Sequence, residues 1–320
     1  MIEHVVSSIL FCSPLALTGN DSGLWFVGDT DPIATTFSSK PPDLDHELCE
    51  RYSAQQYVVV EPFTRRPSAL AVDNHTLWFI DDTLGVGMYK IRLTNMLRAS
   101  TSRNASLQSS TLEGLLETTE KPTDFLIYQG EPLLVFGDSA NESSKLLQYQ
   151  HRVWNAKESL EGTNAHVSLL QDQLIAAVPS DFGVTMWYMN DGSWHGGDEV
   201  SIEGDLVDLI CRDDWPILVT TSDGESTLTG IQRGGLVEIA SFPIPKGRWA
   251  VSPSPMGLSV VGVERKGTTT VLDIGWPSGS ISEPIVLEER FRENDTLFMT
   301  MLFVSMLVVS MILILKIRRS

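Results

Sequence analysis

Four groupings in this 320-residue chain carry side chains able to do chemistry. In VFGDSANES (residues 135–143), Ser139 follows a β-prone run, where a serine acts as a nucleophile if a histidine base, itself oriented by an acid, stands beside it. In WHGGD (residues 194–198), an imidazole adjoins an indole and a flexible glycine pair, types suited to proton transfer or sugar stacking. The carboxylates Asp29 and Asp31, Asp81 and Asp82, and Asp213 and Asp214 offer the several oxygens a hard cation needs. Three cysteines, Cys12, Cys49 and Cys211, complete the inventory.

What positions these residues is a repeat. LALTGNDSGLWFVGDT (residues 15–30) returns as LAVDNHTLWFIDDT (residues 70–83), and both read as strand, polar turn, strand. Looser copies follow as FLIYQGEPLLVFGDS (125–139), VSLLQDQLIAAVPSD (167–181), VDLICRDDWPILVTTSD (207–223) and AVSPSPMGLSVVGVE (250–264). Anchoring each second strand at Trp25, Trp78, Leu134, Ile175, Leu218 and Val260 gives intervals of 53, 56, 41, 43 and 42 residues. Third β-prone runs such as MYKIRL (88–93) and VTMWYM (184–189), and fourth runs such as QYVVVE (56–61), LVEIASF (236–242) and PIVLEE (284–289), fill most intervals.

Four short antiparallel strands per unit of about 42 residues make a propeller blade, and stacking blades buries faces that a lone sheet leaves wet. Across roughly residues 10–290 the chain therefore resembles the β-propeller superfamily, on the LWFVGDT and LWFIDDT segments and the blade spacing. The expectation is an all-β domain over residues 1–290 with six four-stranded blades; a β-sandwich or two stacked β-domains is the alternative. Trp25, Phe26, Trp78 and Phe79 are expected to pack between blades. Polar insertions at residues 38–54 and 95–121 read as loops available to a partner. No WD dipeptide, Kelch double glycine or A-x-D-x-x-x-G-x-x-x-W motif repeats, so no named family's binding residues carry over.

Against this frame the chemistry thins. The segment around Ser139 resembles the first block of the GDSL-type serine esterases, a resemblance that implies a D-x-x-H near the C-terminus. The D-x-x-H present, from Asp43 to His46, lies upstream, and Ser139 falls at the hairpin corner that Thr30, Thr83 and Ser180 hold in sister repeats. WHGGD reads as a surface turn between strands, and without a D-x-D-x-D-G loop the carboxylate pairs read as solvated turn groups. The cysteines lack C-x-x-C spacing and paired histidines, which argues against zinc or thioredoxin-type chemistry; Cys12 with Cys49 is the most plausible disulfide, and an odd count leaves one thiol free. The innermost runs LAL, LAV, FLI, SLL, DLI and AVS are mainly apolar, with Asp208 the exception. No catalytic or cofactor-binding residue is assigned, no cofactor is expected, and the metal question stays open.

Residues 297–315, from Leu297 to Leu315, are 19 consecutive uncharged residues interrupted only by Thr300, Ser305 and Ser310, the signature of one helix spanning the lipid bilayer. A linker at 291–296 precedes it and a basic tail at 316–320, with Lys316, Arg318 and Arg319, follows. The positive-inside rule makes that tail cytoplasmic and the domain extracytoplasmic. The first residues disagree, since Glu3 stands where an export signal wants a basic start; either a signal lies upstream of Met1 or the protein is tail-anchored with its domain in the cytosol. A net charge of −18 excludes nucleic acid as the default partner. The five N-x-S/T sequons, at Asn20, Asn74, Asn104, Asn141 and Asn294, double as turn formers. The expected function is ligand or protein binding by propeller loops at a membrane surface, without catalysis; the alternative is a propeller hydrolase or lactonase with a metal in its central channel.

Overall fold

The computed structural model describes residues 17–20, 23–29, 46–53, 56–63, 69–73, 76–81, 86–92, 111–118, 120–233, 235–263 and 269–286. They form antiparallel sheets, each built from one contiguous stretch of chain with strands in sequence order. The first holds β1 (Leu17–Asn20), β2 (Gly23–Asp29), β3 (His46–Ser53) and β4 (Gln56–Phe63). The second holds β5 (Ala69–Asp73), β6 (Thr76–Asp81), β7 (Val86–Arg92) and β8 (Thr111–Leu116). In the third are β9 (Asp124–Tyr128), β10 (Glu131–Asp138), β11 (Ser143–Gln150) and β12 (Val153–Ala156), with β13 (Leu160–Glu161) also paired to β11. The fourth comprises β14 (His166–Leu170), β15 (Gln173–Ser180), β16 (Gly183–Asn190) and β17 (Ser193–Val200). The fifth comprises β18 (Asp205–Arg212), β19 (Trp215–Ser222), β20 (Glu225–Gln232) and β21 (Gly235–Pro243). The last is β22 (Arg248–Ser254), β23 (Gly257–Val263), β24 (Thr269–Ile274) and β25 (Ile285–Val286).

This is a β-propeller. The first strand of each sheet is innermost, and neighbouring innermost strands lie side by side: β5 by β9, β9 by β14, β14 by β18 and β18 by β22. The spacing of the sequence predicts six blades. Five, from β5 to β25, have described interiors, while the sheet β1–β4 is described through its backbone, with β1 beside both β5 and β22.

The second strands explain the assembly. Side chains alternate across a strand, so a radial sheet presents one set to each neighbouring blade. Leu134 and Phe136 of β10 join Trp78, Ile80 and Met88 of the preceding blade, while Leu133 and Val135 join Val167, Leu174 and Ala176 of the next. Ile175 and Ala177 then meet Leu209 and Leu218, and Ile217 and Val219 meet Val251, Leu258 and Val260. These runs are apolar throughout because both faces are covered, each large side chain contributing about 1.5–3 kcal/mol on burial. Trp78 serves this packing as expected, whereas Phe79 is buried and stacks on Tyr89 of its own sheet at 5.1 Å; the side chains of Trp25 and Phe26 lie outside those described.

Three segments read as loops or turns are strands. The 38–54 insertion contains β3, whose alternation is broken by register shifts at Leu48/Cys49 and Arg51/Ser53, so a period of two is not visible in HELCERYS. The 95–121 insertion contains β8, the outer strand of its blade. WHGGD lies inside β17, beside a bulge opposite Thr185 and Trp187 that requires Gly197, where a Cβ would stand 2.0 Å from the Met186 carbonyl oxygen; a Cβ on Gly196 would press the Trp187 ring at 3.1 Å. The run 284–289 supplies β25, which completes the last sheet from the C-terminal side. Among the described residues no helix is long and apolar enough to cross a membrane, and the spanning segment expected at 297–315 lies outside them, as does the linker and tail.

Leu133 has no exposed surface and sits between the third and fourth sheets. Leu133→Ala is expected to cost about 2–5 kcal/mol in urea denaturation, the range for a cavity that neighbouring strands cannot refill.

Candidate functional site

Each innermost strand pairs antiparallel with the strand that follows it, so residues counted back from its end lie at matching depths. Four residues before the strand's end stand Ala69 in β5, Asp124 in β9, His166 in β14, Asp208 in β18 and Ala250 in β22. Their registers agree: each pairs with an apolar residue of its second strand, Ile80, Val135, Ala177, Val219 and Val261 in turn. One layer around the axis thus carries aspartate, histidine and aspartate from three consecutive blades and a methyl group from the two described blades flanking them. The ligating atoms of Asp124, His166 and Asp208 all lie within 4.8 Å of one another.

The backbone fixes the carboxylates. Phe125 N–H donates to Asp124 Oδ1 at 2.7 Å, and Val167 N–H, on the neighbouring blade, donates to Asp124 Oδ2 at 2.8 Å. Leu209 N–H donates to Asp208 Oδ1 at 2.8 Å. His166 Nδ1 stands 3.8 Å from Asp208 Oδ1, beyond hydrogen-bond reach, and the two side chains keep 19% and 32% of their surface exposed.

Crowding by protein sets the protonation chemistry. Desolvation raises Asp124 to about 6, helped by the charge of Asp208 and opposed by His166 and the two backbone donors. Desolvation likewise raises Asp208 to about 6 against the Leu209 donor. It lowers His166, against the pull of Asp124. Near neutral pH the site therefore holds two carboxylates that repel each other and an imidazole kept neutral, a set that accepts a cation or hydrogen-bond donors.

Apart from Asp208, the residues singled out in the sequence lie elsewhere or outside the described residues. Ser139 is an exposed turn residue, and Asp138 before it caps that turn, accepting from Asn141 Nδ2 at 2.7 Å and from Lys145 Nζ at 2.6 Å. The Lys145 ammonium, with Asn141, holds Asp138 down at about 2. Asp43 and the His46 side chain lie outside what is described. His195 is exposed on β17, and Trp194 is tied to Glu158 through its backbone N–H and its Nε1. Asp213 accepts from Trp276 Nε1 at 2.6 Å and Asp214 from Gln171 Nε2, so this pair braces turns; Asp31 and Asp82 lie outside the described residues, and of Asp29 and Asp81 only the backbone is described. Cys211 is a free thiol pushed up to about 11 by burial, with a Ser168 hydrogen bond opposing, which makes it a poor nucleophile; a Cys12–Cys49 bridge lies outside the described side chains.

Of the three clustered residues sequence reasoning found Asp208 alone. Aligning the innermost runs by apolar letters placed FLI and SLL against DLI and dropped the residues ahead of them. Aligned by the turn, DFLIY, HVSLL and DLICR put Asp124, His166 and Asp208 in one column, 42 residues apart at each step.

No family model and no curated protein matches this chain. Among solved structures it is similar to TolB from Acinetobacter baumannii, at TM-score 0.55 and 14% identity, covering 84% of this chain and 67% of that one. It is also similar to a putative 6-phosphogluconolactonase from Bacteroides uniformis, at TM-score 0.46 and 11% identity over 85% of this chain and 84% of that one. The likeness to TolB is to the fold.

A raised carboxylate pKa makes the folded state bind protons more tightly than the unfolded chain, so its stabilising effect is full below pH ~4 and lost as pH rises through ~6. With chelator present, Asp208→Asn, which keeps an acceptor for Leu209 N–H, is expected to raise the melting temperature at pH 8 by roughly 2 °C relative to the parent. The difference should shrink as pH falls and vanish below about pH 4, as read by differential scanning calorimetry.

Proposed function

We propose that this chain is a single-pass membrane protein whose β-propeller binds a ligand at the channel layer of Asp124, His166 and Asp208, with the sheet β1–β4 completing the ring as a sixth blade. The observation that carries the reading is the convergence of three polar, ligand-capable side chains at one depth on three consecutive innermost strands. Position between β5 and β22 supports the sixth blade. The hydrophobicity of residues 297–315 and the cations after it support an anchor with a cytoplasmic tail and an extracytoplasmic domain. Binding is preferred to catalysis because the site offers no nucleophile and base at hydrogen-bond distance. A hydrolase or lactonase with a metal in its channel is the second reading, favoured by the same three residues.

Two measurements test this. A small-molecule library is screened by thermal shift on the full-length chain in mild detergent and on His166→Ala, with each hit followed by NMR for turnover. Channel ligands should raise the melting temperature of the parent by a few degrees and leave the variant unmoved, emerging chemically unchanged; turnover would select the hydrolase, and equal shifts in both proteins would move the site elsewhere. For the anchor, epitope tags are placed within residues 95–110 and after Ser320. Protease added to intact cells should remove the first and spare the second, and the opposite pattern would put the domain in the cytosol.

A further inference from the structure

We propose that Asp124, His166 and Asp208 together bind one divalent cation of borderline hardness, Zn2+ more tightly than Mn2+, with its open coordination positions directed toward the small-residue side of the channel. The proposal deepens the reading of the channel layer as the binding site and rests on it.

Donors bonded to one ion at ~2.0–2.4 Å stand at most twice that apart, about 4.0–4.8 Å. The three ligating atoms fall within 4.8 Å of one another, so they can share an ion after small side-chain rotations. The donors are held by groups that a metal would not displace. Asp124 is oriented through both oxygens by the Phe125 and Val167 amides and Asp208 by the Leu209 amide, the outer-sphere bracing that ligating carboxylates use. Each oxygen still has lone-pair capacity left for a metal.

His166 gives an independent indication. Its Nδ1 faces Asp208 at 3.8 Å, too far for the hydrogen bond that would explain the pair as a structural contact. An ion between them would bond to both atoms and bring each to its ordinary distance.

The donor set chooses the ion. One imidazole with two carboxylates suits Zn2+ and Mn2+, whereas Mg2+ and Ca2+ prefer oxygen throughout, and the order of affinities places Zn2+ above Mn2+. Two carboxylates cancel the charge of a divalent ion, removing the repulsion between Asp124 and Asp208. Three protein ligands leave at least a fourth position, which in catalytic and ligand-binding zinc sites takes water or ligand. Ala69 and Ala250, in the same layer and partly exposed, offer only methyl groups against it.

The test is equilibrium dialysis of the full-length chain in mild detergent, stripped with chelator and then exposed to Zn2+, Mn2+, Mg2+ or Ca2+ singly, with bound metal counted by mass spectrometry. The parent should retain about one equivalent of Zn2+ and, more weakly, of Mn2+. Asp208→Asn and His166→Gln should bind at least about tenfold more weakly, while His195→Ala, altered at an exposed histidine on β17, should keep the equivalent. Circular dichroism confirms that each variant is folded, and Asp124→Asn replaces any that is not. Absence of binding by the parent, retention of the equivalent by His166→Gln, or preference for Mg2+ or Ca2+ over Zn2+ would each overturn the assignment. Failure of the ligand screen with metal still bound would sink the wider binding reading and leave the cation site standing.

Discussion

The structure depends on one constraint: the second strand of every described blade is apolar on both faces, and no sheet can bury both faces by itself. Leu133 and Leu134 are neighbours in sequence, both without exposed surface, yet they belong to different packing clusters on opposite sides of their sheet. Each blade needs a neighbour on either side, which a flat stack cannot give to its ends. Radial arrangement gives it to all of them. The strands then crowd toward an axis, and whatever the innermost strands carry is brought together whether or not it packs well.

That crowding creates the site and its cost together. An innermost strand is paired on one edge only, so some of its amides face the channel without a ladder partner. Asp124 answers one of them by accepting from Val167 across the blade boundary. The same closeness strips water from Asp124 and Asp208 and sets their charges against each other. Substituting hydrophobic residues there would relieve the strain of like charges, as Ala69 and Ala250 do at the same depth. Keeping three polar side chains on three adjacent blades, in one register, is an arrangement whose energetic burden a bound cation or ligand would lift.

How much of this was legible differed by element. The hairpins announced themselves because their second strands, such as LWFIDD and PILVTT, are apolar runs between polar turns, and the propeller followed from their spacing. Strands β3, β8 and β17 did not, because bulges interrupt the alternation and because an outer strand with one solvated side carries polar residues freely. The glycine pair of WHGGD looked like a turn, and its second member, Gly197, is instead demanded by the approach of the Met186 carbonyl to β17. For the site, Asp208 was visible as a charge in an apolar run. Asp124 and His166 were not, because each begins its strand and reads in isolation as the polar end of a loop; only depth measured from the hairpin turn places them beside Asp208.

The net charge bears on what such a channel can hold. A chain at −18 with two desolvated carboxylates in its channel has a potential that draws cations inward and repels anions. Without an ion in the layer, carboxylate or phosphate ligands would be disfavoured there, since the described residues at this depth on the flanking blades, Ala69 and Ala250, carry only methyl groups. With a divalent ion bound, the two aspartates would be neutralised and the open coordination positions would offer a Lewis acid to an anionic donor. On the proposed reading, the occupancy of one layer would decide the sign of the ligand that the channel accepts, and the net negative charge of the chain would favour the ion that makes the change.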